Sequence, residues 1–414
     1  MNPSIRAVQQ FIFDHWEDTV RYPANQAADE VPLAAPFTVP TAGPAFRLLF
    51  YWDTYFTCEG LFRSGRTDLA RANADNLIRL IEEIGYVPNY PLRHDLTRSQ
   101  PPVASLLFRQ VYERNRDLNW LRRAIGAAER EHAFWMSVRR APLGLNTYGQ
   151  HLPPADLLRF AAETRPGRIV HVPPDLAGRA RLVANQCAEC ESGWDFTPRF
   201  DMRCMDFAPV DLNSLLFALE TNLAWFCREV EPAGGAEWEA RAARRLELFN
   251  RACWDEERGF YFDYDLAAGR RSEMVSAAAF FPLWCGLASA EQAGRVRLRL
   301  GELEAEWGLV ACAPGARPAG QVYQWDSPNL WPPLQFAAIA GLLRYGYGAD
   351  AARLAEKVVN VVARNFERTG NLWEKYNALT GGLNVSNEYE MPAMLGWTAG
   401  TFLYACEVLE SASS

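Results

Sequence analysis

The sequence predicts an all-α protein built as a closed ring of antiparallel helix pairs. Three observations lead there. Apolar residues recur with the helical period along most of the 414 residues. Strand signals are short and scattered. Paired amphipathic runs with short links return about every 50–60 residues, the spacing of packed helix hairpins. The chain shows no self-similar repeat of the kind that marks a solenoid. No linker divides it, so a single domain over residues 1–414 is expected.

In chain order the helical runs are 5–19, 69–84, 102–113, 118–135, 212–229, 236–252, 290–304, 334–345, 349–366 and 393–409. Each places apolar side chains three and four residues apart, which is one face of a helix. Thr67 and Asp68 are cap-type residues ahead of the second run, and Asp211 is one ahead of the fifth. Pro332 and Pro333 suit the first turn of run 334–345, where a missing N–H removes no intrahelical bond. Gly-Phe-Tyr-Phe-Asp-Tyr-Asp at 259–265 reads as an aromatic hairpin arm following a helix. The stretches 23–52, 85–102, 144–201, 311–333 and 369–392 are expected to be non-helical, each rich in Gly, Pro, Trp, Asn or Asp. A helical scaffold with functional loops gathered at one mouth follows from that division.

Charge and composition narrow the function. Lysine and arginine number 42 against 50 acidic residues, a net charge of −8 without a basic block. A nucleic-acid partner has no electrostatic support from such a chain, and a small neutral substrate fits it better. Residues 1–20 carry Arg6, Asp14, Glu17 and Asp18 and so lack the apolar core of a secretory leader. No stretch of roughly 20 uncharged apolar residues occurs, so no membrane span is expected. The nine cysteines are odd in number and scattered, the pattern of free thiols in a reducing compartment, and a cytoplasmic location is the expectation. Cys187 and Cys190, with Cys204 beyond them, lack a well-spaced fourth ligand, since His151 and His171 sit poorly for it; no metal is expected. The 14 Trp, 15 Tyr and 23 Phe suit the apolar C–H faces of sugars, and equally a large core.

Four segments concentrate chemistry. Phe50-Tyr-Trp-Asp-Thr-Tyr-Phe56 sets Asp53 among five aromatic rings, and Glu191-Ser-Gly-Trp-Asp-Phe196 sets Asp195 between Trp194 and Phe196. Gln324-Trp-Asp-Ser-Pro-Asn-Leu-Trp331 combines Trp, Asp, Asn and Gln just ahead of a helix. Glu388-Tyr-Glu390 follows the Gly381-Gly382 turn and precedes Gly396-Trp397. Carboxylates beside aromatic walls are what glycoside hydrolysis needs. One acid must stay protonated to donate to the leaving oxygen, and an apolar wall raises its pKa by disfavouring the anion. The other must stay ionised to activate water on the opposite face.

These residues bring the chain to a resemblance. From about residue 46 to residue 400 it resembles the trehalase family of glycoside hydrolases, as a short, divergent bacterial-type member. Trp52-Asp-Thr-Tyr-Phe56 is similar to the second half of the family's first signature. Pro88-Asn89 with Arg98-Ser-Gln-Pro-Pro102 is similar to the next block. Glu191–Phe196, followed by Pro209-Val-Asp-Leu-Asn213, resembles the block that holds the general acid. Gln324–Trp331 resembles the second signature, with Leu330 in place of the usual glycine. Glu374-Lys-Tyr376, Glu388-Tyr389 and Gly396-Trp-Thr398 resemble the C-terminal block.

The resemblance implies an (α/α)6 barrel and inverting hydrolysis of a small α-glucoside, with neither metal nor organic cofactor. It implies Asp195 as general acid and Glu388 as general base, the latter because it lies nine residues ahead of Trp397; Glu390 lacks that register. It places Phe46, Trp52, Asp53, Asn89, Arg98, Gln100 and Trp331 around the glucose, with Trp325, Asp326 and Glu374 as supports. Departures fall on the leaving-group side. Ala45 and Leu48 stand where the family carries arginine and glutamate, and Leu152-Pro-Pro-Ala-Asp156 replaces an Arg-Pro-Glu block, with Pro154 at the arginine. Arg165 or Arg168 is the candidate substitute from a shifted loop. Two rival readings are a non-catalytic sugar-binding or sensing protein and a helical-barrel sugar isomerase or epimerase. The isomerase reading needs catalytic histidines, and none of the five histidines lies in the four key segments.

Overall fold

The computed structural model describes residues 3–163, 172–318, 320–387 and 389–412. Its helices are α1 (Pro3–His15), α2 (Tyr51–Arg63), α3 (Thr67–Ile84), α4 (Ala104–Asn115), α5 (Leu118–Val138), α6 (Pro154–Glu163), α7 (Leu176–Ser192), α8 (Val210–Val230), α9 (Ala236–Cys253), α10 (Phe281–Trp284), α11 (Ala290–Leu298), α12 (Pro332–Arg344), α13 (Gly348–Thr369) and α14 (Gly396–Ala412). Six of them close an inner ring. α2 packs on α4, α4 on α8, α8 on α10, α10 on α12, α12 on α14, and α14 returns to α2. Helices α1, α3, α5, α9, α11 and α13 precede these in turn and form the outer layer, which is the (α/α)6 barrel. The α6–α7 pair is inserted between α5 and α8.

Burial separates the two layers. The outer helices α3 and α13 bury one stripe and leave a charged face in water. The inner α2 is buried at every position from Tyr51 to Leu61, and α12 and α14 are nearly so. That explains part of what the sequence did not predict. Helices α2, α6 and α7 fall wholly or largely in stretches read as non-helical or left unassigned. In α2, buried nearly all round, no polar face is needed and the helical period fades from the sequence. Helices α6 and α7 keep exposed faces and lie inside a stretch read as non-helical for its Gly, Pro, Trp, Asn and Asp content.

Local chemistry corrects two further expectations. Helix α3 starts at Thr67 itself, with Asp68 in its first turn, where the helix dipole favours an anion. Asp211 does not cap α8, which begins at Val210 after Pro209; its carboxylate is taken by Arg199 Nη2 at 2.9 Å. True side-chain caps occur at Asp117 on α5, Asp175 on α7 and Ser289 on α11, the last as a capping box with Gln292. The aromatic arm at 259–265 divides in two. Phe260–Tyr261 pairs with Trp254–Asp255, whereas Tyr264–Asp265 pairs with Phe207–Ala208 and Arg270–Arg271. A further two-residue ladder joins Asn329–Leu330 to Tyr376–Asn377.

The ring closes through glycine. A Cβ at Gly400 of α14 would stand 1.8 Å from the Phe56 carbonyl oxygen of α2, and one at Gly60 would meet the Gly400 Cα at 3.0 Å. Backbones this close admit no side chain between them. Gly400→Ala is therefore expected to lower stability by about 1–3 kcal/mol through overpacking, or more if α14 cannot shift. The midpoint of urea unfolding, with the slope unchanged, checks this.

Candidate active site

Loops that enter the inner helices gather around a cavity of about 230 Å³. Its wall contains Asp195 and all seven residues that the resemblance set around the sugar: Phe46, Trp52, Asp53, Asn89, Arg98, Gln100 and Trp331. Of the expected supports, Trp325 and Glu374 also line it. Asp326 does not, being held by Arg317 at 2.7 Å. Glu388 lies outside the described residues, as do Arg165 and Arg168. Sequence reasoning missed Tyr90, Cys190, Gln324, Tyr389 and Trp397, which the fold adds to the wall. Gln324, Tyr389 and Trp397 stood inside quoted motifs without a role; nothing local marks Tyr90 or Cys190.

Helix α7 delivers Asp195. It ends at Gly193 in the left-handed region (φ 73°), so the chain turns sharply and Asp195 follows two residues later. Two buried carboxylates of α7 hold the flanking loops. Glu191 accepts Arg139 Nε at 2.8 Å and Nη2 at 2.9 Å, the Ser99 amide at 2.8 Å and the Gly149 amide at 2.6 Å. Glu189 accepts the Thr197 and Met202 amides at 3.2 and 3.0 Å. Burial pushes the Glu189 carboxyl well above the usual range.

The neighbouring loop is fastened to α2. Gln100 Oε1 accepts the Trp52 amide at 3.0 Å, at the start of that helix. Asn89 accepts the Tyr51 amide on its carbonyl at 3.1 Å and donates Nδ2 to the Cys190 carbonyl at 3.3 Å. Arg98 Nη1 meets Asp95 Oδ1 at 3.0 Å, and its Nη2 meets the Tyr90 hydroxyl at 3.2 Å. Two buried donors in this wall, Arg98 Nε and Trp52 Nε1, have no partner among the described residues.

An aromatic floor faces them. Trp325 and Trp331 stack with centroids 3.8 Å apart and planes 2° from parallel, and Trp397 meets Trp331 edge-on at 5.8 Å. Glu374 stands beside this floor. Its carboxylate accepts Lys375 Nζ at 2.6 Å and the Tyr389 hydroxyl at 2.7 Å. Asp53 has its carboxyl raised well above the usual range, first by burial and then by the charges of Glu374 and Asp195. Among the described residues Arg98 is the arginine on the cavity wall. Arg47 turns away, donating to the carbonyls of Thr41 at 2.8 Å and Asp18 at 3.3 Å, and Ala45 is exposed. The wall thus offers acceptor carboxylates, amide and guanidinium donors and flat rings, which suits a polyhydroxylated ring.

Comparisons with known proteins agree with that chemistry. A family model described as trehalase matches residues 1–154 and 186–410. A periplasmic trehalase of Xanthomonas campestris pv. campestris is 33% identical over 433 aligned residues, covering 96% of this chain and 72% of the relative. A periplasmic trehalase of Pseudomonas aeruginosa is 34% identical, covering 95% and 75%. In structure the chain is similar to the neutral trehalase of Saccharomyces cerevisiae, with TM-score 0.77, 28% identity, and 91% and 74% of the two chains covered. A mannosylglycerate hydrolase of Thermus thermophilus shares the fold at TM-score 0.65 and 21% identity, covering 96% of this chain and 99% of that one.

The expectation of a cytoplasmic protein is overturned by relatives named as periplasmic trehalases. The thiols explain why cysteine usage misled. Burial pushes Cys58, Cys312 and Cys406 up to about 12, and raises Cys190, Cys204 and Cys253 well above the ordinary thiol. The reactive species is the thiolate, so thiols raised in this way stay unreactive and their being unpaired does not report on the compartment.

The Glu191 cluster is open to test. Glu191→Leu strands the Arg139 guanidinium among buried groups and is expected to cost about 3–5 kcal/mol in urea unfolding. Adding Arg139→Leu removes the stranded charge, and the double variant is expected to regain part of that loss.

Proposed function

The chain belongs to the trehalase family, and on that premise we propose that it hydrolyses α,α-trehalose with inversion at the anomeric carbon. Asp195 donates a proton to the glycosidic oxygen while Glu388 takes one from a water on the opposite face. The observation that carries this reading is the convergence of Asp195 and all seven sugar-facing positions on one small cavity. At about 230 Å³ it is smaller than the roughly 300–1,000 Å³ of sites for drug-sized ligands, which suits a single sugar ring.

Each wall has a task in this reading. The stacked Trp325 and Trp331 shape the apolar side of the ring's pocket. Asp53 and Asn89 exchange hydrogen bonds with ring hydroxyls, and the unpartnered Arg98 Nε and Trp52 Nε1 donate to them. Inversion requires the acid and base carboxyls to stand roughly 6.5–9.5 Å apart, leaving room for the attacking water. The chemistry is proton transfer and positioning, for which side chains suffice, so no metal or organic cofactor enters the proposal. Family membership does not favour the sugar-sensor or isomerase readings. We further propose that residues 1–414 act as one catalytic domain, in the periplasm as its relatives' names state.

Asp195→Asn and Glu388→Gln are each expected to lower kcat on trehalose by about 10²–10⁴-fold, the usual contribution of a general acid or base. Folding, followed by circular dichroism, should persist. A variant of either residue that keeps more than about a tenth of wild-type turnover would remove that residue from the mechanism. Stereochemistry supplies a separate test. Proton NMR of the first turnovers on trehalose should show one β-glucose for every α-glucose, because the attacked ring inverts and the leaving ring does not. Release of α-glucose alone would identify a retaining enzyme.

A further inference from the structure

We propose that Lys375 and Gln324 form a positioning relay that aims the general acid Asp195 at the leaving oxygen. The proposal rests on the reading of Asp195 as general acid. Lys375 does not line the cavity; whatever it does for the reaction passes through its neighbours. Its side chain is fully buried, and its ammonium touches Glu374 Oε2 at 2.6 Å and Gln324 Oε1 at 3.3 Å. It also lies 4.6 Å from the Trp331 ring centroid and 5.1 Å from that of Tyr389.

The amide of Gln324 gives the relay its direction. An ammonium has donors only, so the end of the amide facing Lys375 is the oxygen. The nitrogen then points the other way, and it donates to the Asp195 main-chain carbonyl. With Lys375 absent, nothing on that side distinguishes the two ends, and a reversed amide would set oxygen against oxygen at Asp195. The backbone of Gln324 is itself fixed, its carbonyl accepting Asn329 Nδ2 at 2.8 Å and Trp331 Nε1 at 2.9 Å. The next amide, of Trp325, donates to the Phe196 carbonyl at 3.0 Å. The Asp195 carbonyl is thus held by the Gln324 side chain and the Phe196 carbonyl by the Trp325 amide.

Lys375 is held just as closely. The residue that follows it, Tyr376, pairs with Leu330, and Asn377 with Asn329, so the ammonium is delivered from the same two-residue ladder that carries the Trp331 loop. A buried charge is costly, and replacing a buried ion pair by apolar groups is often neutral for stability. A lysine retained at zero exposure, with its one further hydrogen bond on the residue that holds the acid, is explained by orientation.

The test separates aim from structure through the leaving group. Fluoride departs as a weak base and needs no proton, whereas the glucose of trehalose needs one. Lys375→Met and Gln324→Met are each expected to lower kcat on trehalose about 10–100-fold, the scale of a misplaced catalytic group. For Lys375→Met, which alters no cavity-lining side chain, turnover of α-D-glucosyl fluoride should stay within about threefold of wild type, since that reaction makes no use of the acid. For Gln324→Met, whose side chain also lines the cavity, the loss on trehalose should exceed the loss on the fluoride by about tenfold or more. The double variant should be no worse than the poorer single one, because both act on one coordinate. Equal losses on both substrates, or a double variant whose losses multiply, would overturn the relay. If Lys375→Met shows no thermal unfolding transition, Gln324→Met decides through the ratio of its losses on the two substrates, because it leaves the Lys375–Glu374 pair in place. Asp195→Asn runs beside them. Should it lose both substrates alike or keep trehalose, the reading of Asp195 fails; should it alone show the selective loss, only the relay fails.

Discussion

Glu191 is completely buried, and four donors from three directions converge on its two oxygens. A carboxylate in that position is stable only while every partner is present, because its desolvation exceeds what any one bond returns. The arrangement therefore fixes three pieces of chain relative to one another: the loop through Ser99, the loop from Arg139 to Gly149, and the C-terminal turn of α7. Asp195 lies four residues beyond Glu191, past a left-handed glycine. Its place in the cavity is inherited from that cluster. On the same helix Glu189 grips the chain on the far side of Asp195 by two amides. Asp195 is carried on a short arch whose two feet are buried carboxylates of one helix.

A second buried charge cluster steadies the arch from the barrel side. Arg199 has no exposed surface; its guanidinium bridges Asp211 of α8 and Asp263, and lies 4.2 Å from the Trp194 ring centroid. Asp263 also accepts the Val210 amide at 2.9 Å, which joins the start of α8 to the same group. Glu191, Arg199 and Lys375 thus do related work with opposite charges. Each sits just outside the cavity and trades desolvation for a geometry that apolar packing alone would leave loose. The site itself keeps carboxylates, amides, a guanidinium and rings, which match a polyhydroxylated sugar.

How much of this was legible in the sequence depended on whether a residue's role is local. Amphipathic helices such as α3, α5, α9 and α13 declare themselves, because water on one face and core on the other write a period into the chain. Helix α2 loses that period by lying inside the ring. The cavity residues were legible where chemistry is concentrated in short motifs, as with Trp52-Asp53, Asp195 and Trp331. Cys190 and Tyr90 reach the wall only through tertiary folding, so no neighbour in sequence points to them. Asp211 has the composition of a helix cap and is claimed by Arg199, twelve residues earlier. Lys375 stood inside the Glu374-Lys-Tyr376 motif without a role. Its importance lies in a contact 51 residues away.

The architecture itself explains why the chemistry sits at one mouth. Outer and inner helices alternate, so all inner helices run the same way and begin at the same end. Their links at the far end are brief, with Ser64–Arg66 between α2 and α3, Arg116–Asp117 between α4 and α5, and Tyr345–Tyr347 between α12 and α13. The long segments all lead into inner helices. One ends at Gln100 just before α4, another carries Asp195 ahead of α8, a third carries Gln324–Trp331 into α12, and the last carries Glu374 and Tyr389 into α14. The cavity is therefore lined by helix N-termini. Trp52 and Asp53 open α2, Trp331 caps α12, and Trp397 is in the first turn of α14. Partial positive charge at those ends favours carboxylate anions by about 0.3–1 kcal/mol each, and up to ~2 when partly buried. Burial acts the other way and shifts a carboxyl by up to about 3–5 pKa units, several times larger. For Asp53 the outcome is visible, since its carboxyl is raised despite its place in a first turn. The helix ends thus lose to burial at Asp53, and the positive charges placed near it, Arg98 on the wall and Lys375 against Glu374, stand at the edge of the carboxylate cluster.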